Sequence, residues 1–380
     1  MRVLLLADRV LALREHAMLR RLEVGLIDDG LRVVRAQPAG SPPAPTTGLA
    51  GALAYSDARW RFGALSPVRA LAREILDLDS LMEQSNERPI DVVHVFGERA
   101  WALGSALAQE FGADLALEVW SSRARSHVDR QENRWGPLEQ AGSRGLWLAP
   151  DERVLKALES MRLRWPVRSS RWGVHLPAEP RTPRSPPTPV AMAVLSTGQD
   201  PSGLIALLRG LAFAARAHHD ILVFVDSAAL AARQVWQEAG DLDLMDRLSF
   251  VPLMPTARDL VLRTDVFIQS EALGEQHTLV LEAMAQGLCV MARVDPLVEA
   301  VSPPSGPAIL VSNPGPAGWE EALNRVLGKP DEREAVGRAC RAYIGEHRLA
   351  HIHVRATLDA YRSFRTDEPI AFSARAESQS

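Results

Sequence analysis

Short apolar runs alternate with longer segments of helical period along most of this chain, and no other feature restricts its fold so tightly. Runs that are apolar throughout, rather than alternating, fit strands buried on both faces, which means a parallel sheet covered by helices. In the first half the predicted strands are Val3 to Ala7, Leu31 to Ala36, Asp91 to Phe96, Leu115 to Val119, Leu146 to Ala149 and Val167 to Arg171. Between the first two, Leu19, Leu22 and Leu26 recur at helical spacing, and Asp28, Asp29 and Gly30 stop the helix, which makes one βαβ unit.

The pattern breaks at PAEPRTPRSPPTP, residues 177–189, where proline removes backbone donors and fixes φ so that neither helix nor sheet can continue. It then restarts, with predicted strands at Val190 to Leu195, Ile221 to Val225, Leu248 to Val251, Val266 to Gln269, Cys289 to Ala292 and Ala308 to Val311. A length of 380 residues exceeds one ordinary core, so the reading is two doubly wound α/β domains, 1–176 and 190–352, joined by the linker 177–189. Gln37 to Gly51 reads as a long loop, and 366–380 as a disordered tail.

The hydrophobic fraction of 47% with 24% charge is that of a globular protein, and a net charge of −4 gives the whole chain no attraction to nucleic acid or an anionic membrane. A local basic patch, and with it a peripheral membrane contact, stays open. Cys289 and Cys340 are too few for a disulfide scaffold, and Asp8 and Arg9 interrupt the first apolar run, so a cytoplasmic location is expected.

The most informative stretch is SEALGEQHTLVLEAMAQGLCVMA, Ser270 to Ala292. Thr278 is a plausible N-cap, and a helix start offers unpaired N–H groups and a positive dipole end to a phosphate, with Glu282 one turn further along the same face. LVLEAMAQG, preceded by Asp265, Val266, Phe267 and Ser270, resembles the donor-site signature of the family 4 glycosyltransferases. DVVHVFG at Asp91, RWGVHLP at Arg171 and RLSFVPL at Arg247 are similar to other parts of that family, in order, from Met1 to about Phe364.

The resemblance implies a GT-B architecture: two Rossmann-like doubly wound domains facing each other across a cleft, with a closing segment, 353–365, packed back on the first domain. It implies a nucleotide-sugar donor held by the second domain, an acceptor (a glycan, a lipid-linked or a small molecule) presented by the first, retention of configuration, and no metal or other cofactor. The donor-binding candidates are then Glu282, His277, Thr278, Leu279, Thr197 and Ser202.

Several positions depart from the family pattern. Of two glutamates eight apart, the first is Gly274 here, which leaves Glu275, with Glu271 as the other neighbour, as the substitute catalytic carboxylate. The Arg and Lys that neutralise the leaving diphosphate are Thr197 and Ser202, and two hydroxyls cannot supply that charge. The glycine-rich loop after the first strand is the bulkier, helical ADRVLALREH, and the glycine turn after Val225 is Asp226 and Ser227. On the acceptor side Phe96 and Trp120 replace histidines, and Arg123 and Arg125 begin a basic stretch with Arg130, Arg134 and Trp135. These departures keep two readings open: a retaining hexosyltransferase-like enzyme, and an inactive GT-B-fold protein that binds a sugar or steadies a partner.

Other groupings read as structural. His94 is expected to pack within its strand, His347, His351 and His353 lack a metal-site spacing, and His218 and His219 close a helix. No nucleic-acid signature or Walker-type loop occurs.

Overall fold

The computed structural model describes residues 1–42, 50–56, 65–80, 89–132, 142–181, 188–252, 254–304 and 306–365. Arg134, Trp135, most of the loop after Pro38, residues 182–187 of the linker, and 366–380 lie outside the described residues.

The first lobe is built on β1 (Arg2–Ala7), β2 (Arg32–Pro38), β3 (Ala50–Tyr55), β4 (Val92–Phe96), β5 (Asp114–Glu118), β6 (Gly145–Ala149) and β7 (Val167–Ser169), in spatial order 3-2-1-4-5-6-7. The second is built on β8 (Val190–Leu195), β9 (Ile221–Asp226), β10 (Leu248–Val251), β11 (Val266–Gln269), β12 (Cys289–Arg293) and β13 (Ile309–Val311), in order 10-9-8-11-12-13. Every pairing in both sheets is parallel. The uniformly apolar β1 is central and wholly buried, as a strand covered by helices on both faces must be.

Two expectations change. Ala50 and Gly51, read as loop, open the edge strand β3; its small residues give little strand signal, and it is held by pairing with β2, by packing of Leu53 and Tyr55 on the core and by the Tyr55 hydroxyl donating to the Ala7 carbonyl (2.8 Å). The last strand of the first lobe stops at Ser169, because Arg171 turns away with φ 41°.

The order reverses in each sheet where a strand starts a second direction of winding, between β1 and β4 and between β8 and β11. In doubly wound sheets this crevice at the strand C-termini is where ligands bind. The two crevices are lined by Ala7, Asp8, Phe96 and Gly97 in the first lobe and by Leu195, Ser196, Gln269 and Ser270 in the second.

The chain crosses between lobes twice. Val174 pairs with Leu349 in an isolated parallel bridge, and buried Arg348 donates to the Pro150 carbonyl (3.0 Å), Asp151 (2.8 Å) and Glu299 (2.6 Å), clamping both lobes at the crossing. The helix Ala350–Ser363, which begins three residues before the 353 read from sequence, lays Val354, Leu358 and Tyr361 into the core of the first lobe. Burying the Val354 and Leu358 side chains is worth about 1.5–3 kcal/mol each. His94 is wholly buried between Glu118 (Nε2, 3.0 Å) and the Tyr361 hydroxyl (Nδ1, 2.7 Å), while Ser170 and Trp172 also donate to Glu118.

Candidate functional site at the seam between the lobes

The helix Thr278–Ala285 follows β11, so its N-terminus stands at the second crevice and points toward the first lobe. Its N-cap is His277, not Thr278, and the His277 side chain makes no cap bond. The cap comes from the first lobe instead. The segment after β1 forms two helices, Arg9–Arg14 and His16–Asp28, and at the break between them Glu15 carries a carboxylate that accepts from the Thr278 backbone N–H (3.2 Å) and from the Thr278 hydroxyl. That carboxylate sits where the resemblance puts a diphosphate, and it is satisfied by the same amide and dipole end.

Glu282 is engaged both from across the seam and from its own lobe. Its side chain, 7% exposed, pairs with Arg21 (2.6 Å) on the first-lobe helix His16–Asp28 and with Arg258 of the second-lobe helix Arg258–Val261. Burial lowers both guanidinium pKa values to about 10, which leaves them cations at neutral pH.

His277 lies between Glu15 (3.4 Å) and Glu275 (3.3 Å). Burial acts to lower its pKa, but hydrogen bonds and charge from the two carboxylates outweigh that and raise it to about 9, so it is an imidazolium at neutral pH. Burial acts to raise the Glu275 pKa, and the bond and charge of His277, with Arg14 and a bond from Gln199 (3.0 Å), bring it below the ordinary value.

The second crevice holds a further carboxylate. Glu271 accepts from Ser196 Oγ (2.9 Å), Thr197 N (2.8 Å), Thr197 Oγ1 (2.6 Å) and Gly198 N (3.2 Å). Of the two acidic neighbours of Gly274, Glu271 therefore orders the loop after β8, and Glu275 faces the seam. The first crevice is filled by Asp8, which caps the Arg9–Arg14 helix at Leu11 (3.0 Å) and packs against Gly97, where a Cβ would stand 2.1 Å from its carboxylate oxygen. Burial, the largest effect on Asp8, raises its pKa to about 6.

The remaining candidates are placed as follows. Thr197 is a donor to Glu271, and Ser202 is exposed in the first turn of the helix Pro201–Ala214. Leu279 is buried in the second lobe's core. Phe96, expected on the acceptor side, is instead fully buried against His94, ring centroids 4.0 Å apart, because its strand is central and has no solvent face. Trp120 sits at the seam: its carbonyl accepts from Gln276 N (2.9 Å) and its ring meets His277 edge-on. Arg123 pairs with Glu98 (3.3 Å) and Arg125 is exposed on the same helix, Ser122–Glu132. Asp226 turns its carboxylate to Ala228 N (2.9 Å) and Met254 N (3.2 Å), holding the turn after β9. Among the described residues no group of three or more His, Cys, Asp or Glu is placed to hold a metal, and no helix is long and apolar enough to cross a membrane.

Sequence reasoning missed Glu15, Arg21 and Arg258. Their signal was weak: a lone charged residue at the join of two helical segments, an arginine whose partner lies in the other lobe, and an arginine on a four-residue helix.

No family model matches this chain, and no curated protein matches it. Solved structures do. Sucrose-phosphate synthase from Thermosynechococcus elongatus superposes with a TM-score of 0.69 at 13% identity, covering 96% of this chain and 99% of that one. HepE from Anabaena, solved in complex with UDP-glucose, gives 0.66 at 12% identity, covering 96% and 100%. A glycosyltransferase from Rickettsia africae gives 0.65 at 13% identity, covering 96% and 99%. Likeness over the whole length at such low identity is a statement about architecture. With two parallel doubly wound lobes, a double crossing between them and a helix N-terminus at their seam, the chain has the GT-B fold, the fold of these glycosyltransferases.

Proposed function

We propose that this protein is a retaining glycosyltransferase that takes its sugar from a nucleotide-diphosphate donor bound at the seam. The observation that carries the reading is the Glu15 carboxylate on the start of the Thr278–Ala285 helix: that helix end is an anion site at the seam, and it is already loaded with an anion. A diphosphate entering there replaces one anion by another and gains the same amides.

The cations that the family draws from the loop after β8 are supplied in this reading by other elements. Arg14, Arg21, Arg258 and protonated His277 surround the helix start, and with Glu15 swung aside they are free to neutralise charge on the leaving diphosphate as the sugar gains oxocarbenium character. Glu282 exchanges an arginine for hydroxyls of the donor. A cavity of about 550 Å³ lined by His16, Arg21, Thr256 and Arg258 opens beside these groups and offers room for the nucleoside. UDP and UDP-glucose complexes of HepE, a structural neighbour, support a donor of this class.

The test is calorimetry with a panel of nucleotide sugars on the wild type and Glu282→Ala, together with an assay for nucleotide release. Saturable binding that the substitution weakens supports the donor site, and binding that it leaves unchanged removes Glu282 from it.

A second reading, a GT-B-fold protein without turnover that binds a sugar or steadies a partner, is favoured by Thr197, whose hydroxyl and N–H are given to Glu271 at the position where the reaction needs a cation. Nucleotide release with any donor in the panel eliminates it.

A further inference from the structure

The helix His16–Asp28 presents a second chamber on the face that packs against the C-terminal helix Ala350–Ser363. It is a cavity of about 570 Å³, and Arg20, Arg21 and His175 form the wall between it and the chamber beside Arg258. Its volume is that of a small-molecule site.

The chemistry of its walls is specific. Arg20 and Arg21 project from one helix, and Arg355 and Arg362 from the other, so guanidinium groups face the space from two sides. Val24, Val354 and Leu358 make an apolar floor between them. Asp28 and Asp29 close one end. Two carboxylates at the C-terminal end of a helix sit at the wrong pole of its dipole, and no basic residue in that last turn offsets them.

Arg21 gives an independent sign that the space wants an anion. Its Nη1 is bound to Glu282, but Nε and Nη2 are buried without a hydrogen-bond partner although the side chain is only 12% exposed. A buried guanidinium with open donors is costly unless an acceptor completes it. The neighbouring histidines sense the cation as well: burial first, and then Arg21, lowers the pKa of His175 and of His353.

We propose that this chamber binds a phosphorylated sugar or polyol, with the phosphate between Arg20, Arg21, Arg355 and Arg362 and the ligand's hydroxyls donating to Asp28 and Asp29. Arginine forks from two walls suit a tetrahedral dianion, and aspartates suit the hydroxyls of the same ligand. The chamber shares Arg20, Arg21 and His175 with the pocket beside Arg258 but meets Arg21 through Nε and Nη2 rather than through the Nη1 held by Glu282, and its occupation does not depend on sugar transfer.

The probe is glucose 6-phosphate, titrated by calorimetry into the wild type, the Glu282→Ala variant and an Arg355→Glu/Arg362→Glu double variant, with glucose and inorganic phosphate as controls. Both substituted arginines are exposed, so the double variant is expected to keep the wild-type Tm. Glucose 6-phosphate should bind saturably to the wild type and Glu282→Ala, roughly tenfold or more weakly to the double variant, and better than either control. Absence of saturable binding to the wild type, wild-type affinity in the double variant, loss of binding in Glu282→Ala, or binding of glucose alone as tight as that of its phosphate would each overturn the assignment.

Discussion

Glu15 of the first lobe caps Thr278 of the second, 263 residues away in sequence, with one carboxylate oxygen receiving both the backbone N–H and the hydroxyl. The contact ties the two lobes together and fills the helix end that the proposed donor needs. In the proposed reading Glu15 is therefore an internal competitor of the diphosphate. Glu15→Gln keeps the shape and removes the charge, and it should raise affinity for UDP or UDP-glucose by about tenfold or more, the worth of a charge-assisted hydrogen bond set. Calorimetry on the two proteins measures this; lower affinity in the variant would show that no diphosphate competes for the site.

Gly274 stands where the family pattern has its first glutamate, and the structure explains why a glutamate cannot be restored there. The residue has φ +67°, its N–H donates to Asp295 (2.6 Å), and a Cβ would lie 2.8 Å from Leu297 and 3.0 Å from Ser122 across the seam. Gly274→Glu should destabilise the protein by about 1–3 kcal/mol and yield no gain in nucleotide release. Thermal denaturation together with the release assay decides it, and a variant with raised turnover would mean that the loop shifts to accept the side chain.

The charge on His277 makes the seam sensitive to pH in a defined window. Its pKa is about 9 in the folded protein against an ordinary 6.5, so its contribution is present in full below pH 6.5 and is lost as pH rises through 9. That contribution is about 3 kcal/mol. Asp8, at about 6, is still about one-quarter protonated at pH 6.5, but it titrates alike in the wild type and the His277 variant and cancels in their comparison. Denaturant melts between pH 6.5 and 9.5 should show the wild type losing stability, while His277→Gln, less stable at pH 6.5, stays nearly level. Parallel pH profiles for the two proteins would place the proton elsewhere.

Tyr361 fastens the C-terminal helix to a buried His94–Glu118 pair. Tyr361→Phe leaves the His94 ring nitrogen without that partner in a site that water does not reach, at a cost of about 1–3 kcal/mol. Hydrogen exchange should quicken over Ala350–Ser363 ahead of the rest of the first lobe. Uniform exchange across the lobe would indicate that the apolar contacts of Val354 and Leu358 hold the helix without the hydroxyl.

Much of the architecture was legible because it rests on local pattern. The runs at Val3–Ala7 and Val266–Gln269 can only be buried strands, the segments between them have helical period, and thirteen residues of proline-rich sequence at 177–189 separate two such series. Glu282 and Thr278 were also visible, since their spacing on one helix face is a local property. The edge strand β3 was not, because Ala50 to Tyr55 carries mostly small residues and its ladder depends on pairing with β2.

Sequence alone determined the two-lobed parallel design and the helix start that meets the seam, because apolar periodicity and helix chemistry are written within a few neighbouring residues. Tertiary structure alone decided which charges meet there. Glu15 and Arg21 reach Thr278 and Glu282 only after both lobes have folded and closed on each other, Arg258 reaches Glu282 only once the second lobe has folded, and Glu271 turned inward to the loop after β8 while Glu275 turned to His277. Partner choice among carboxylates depends on distances between segments hundreds of residues apart, and on the burial that makes an unpaired charge too costly to leave, neither of which a linear pattern encodes.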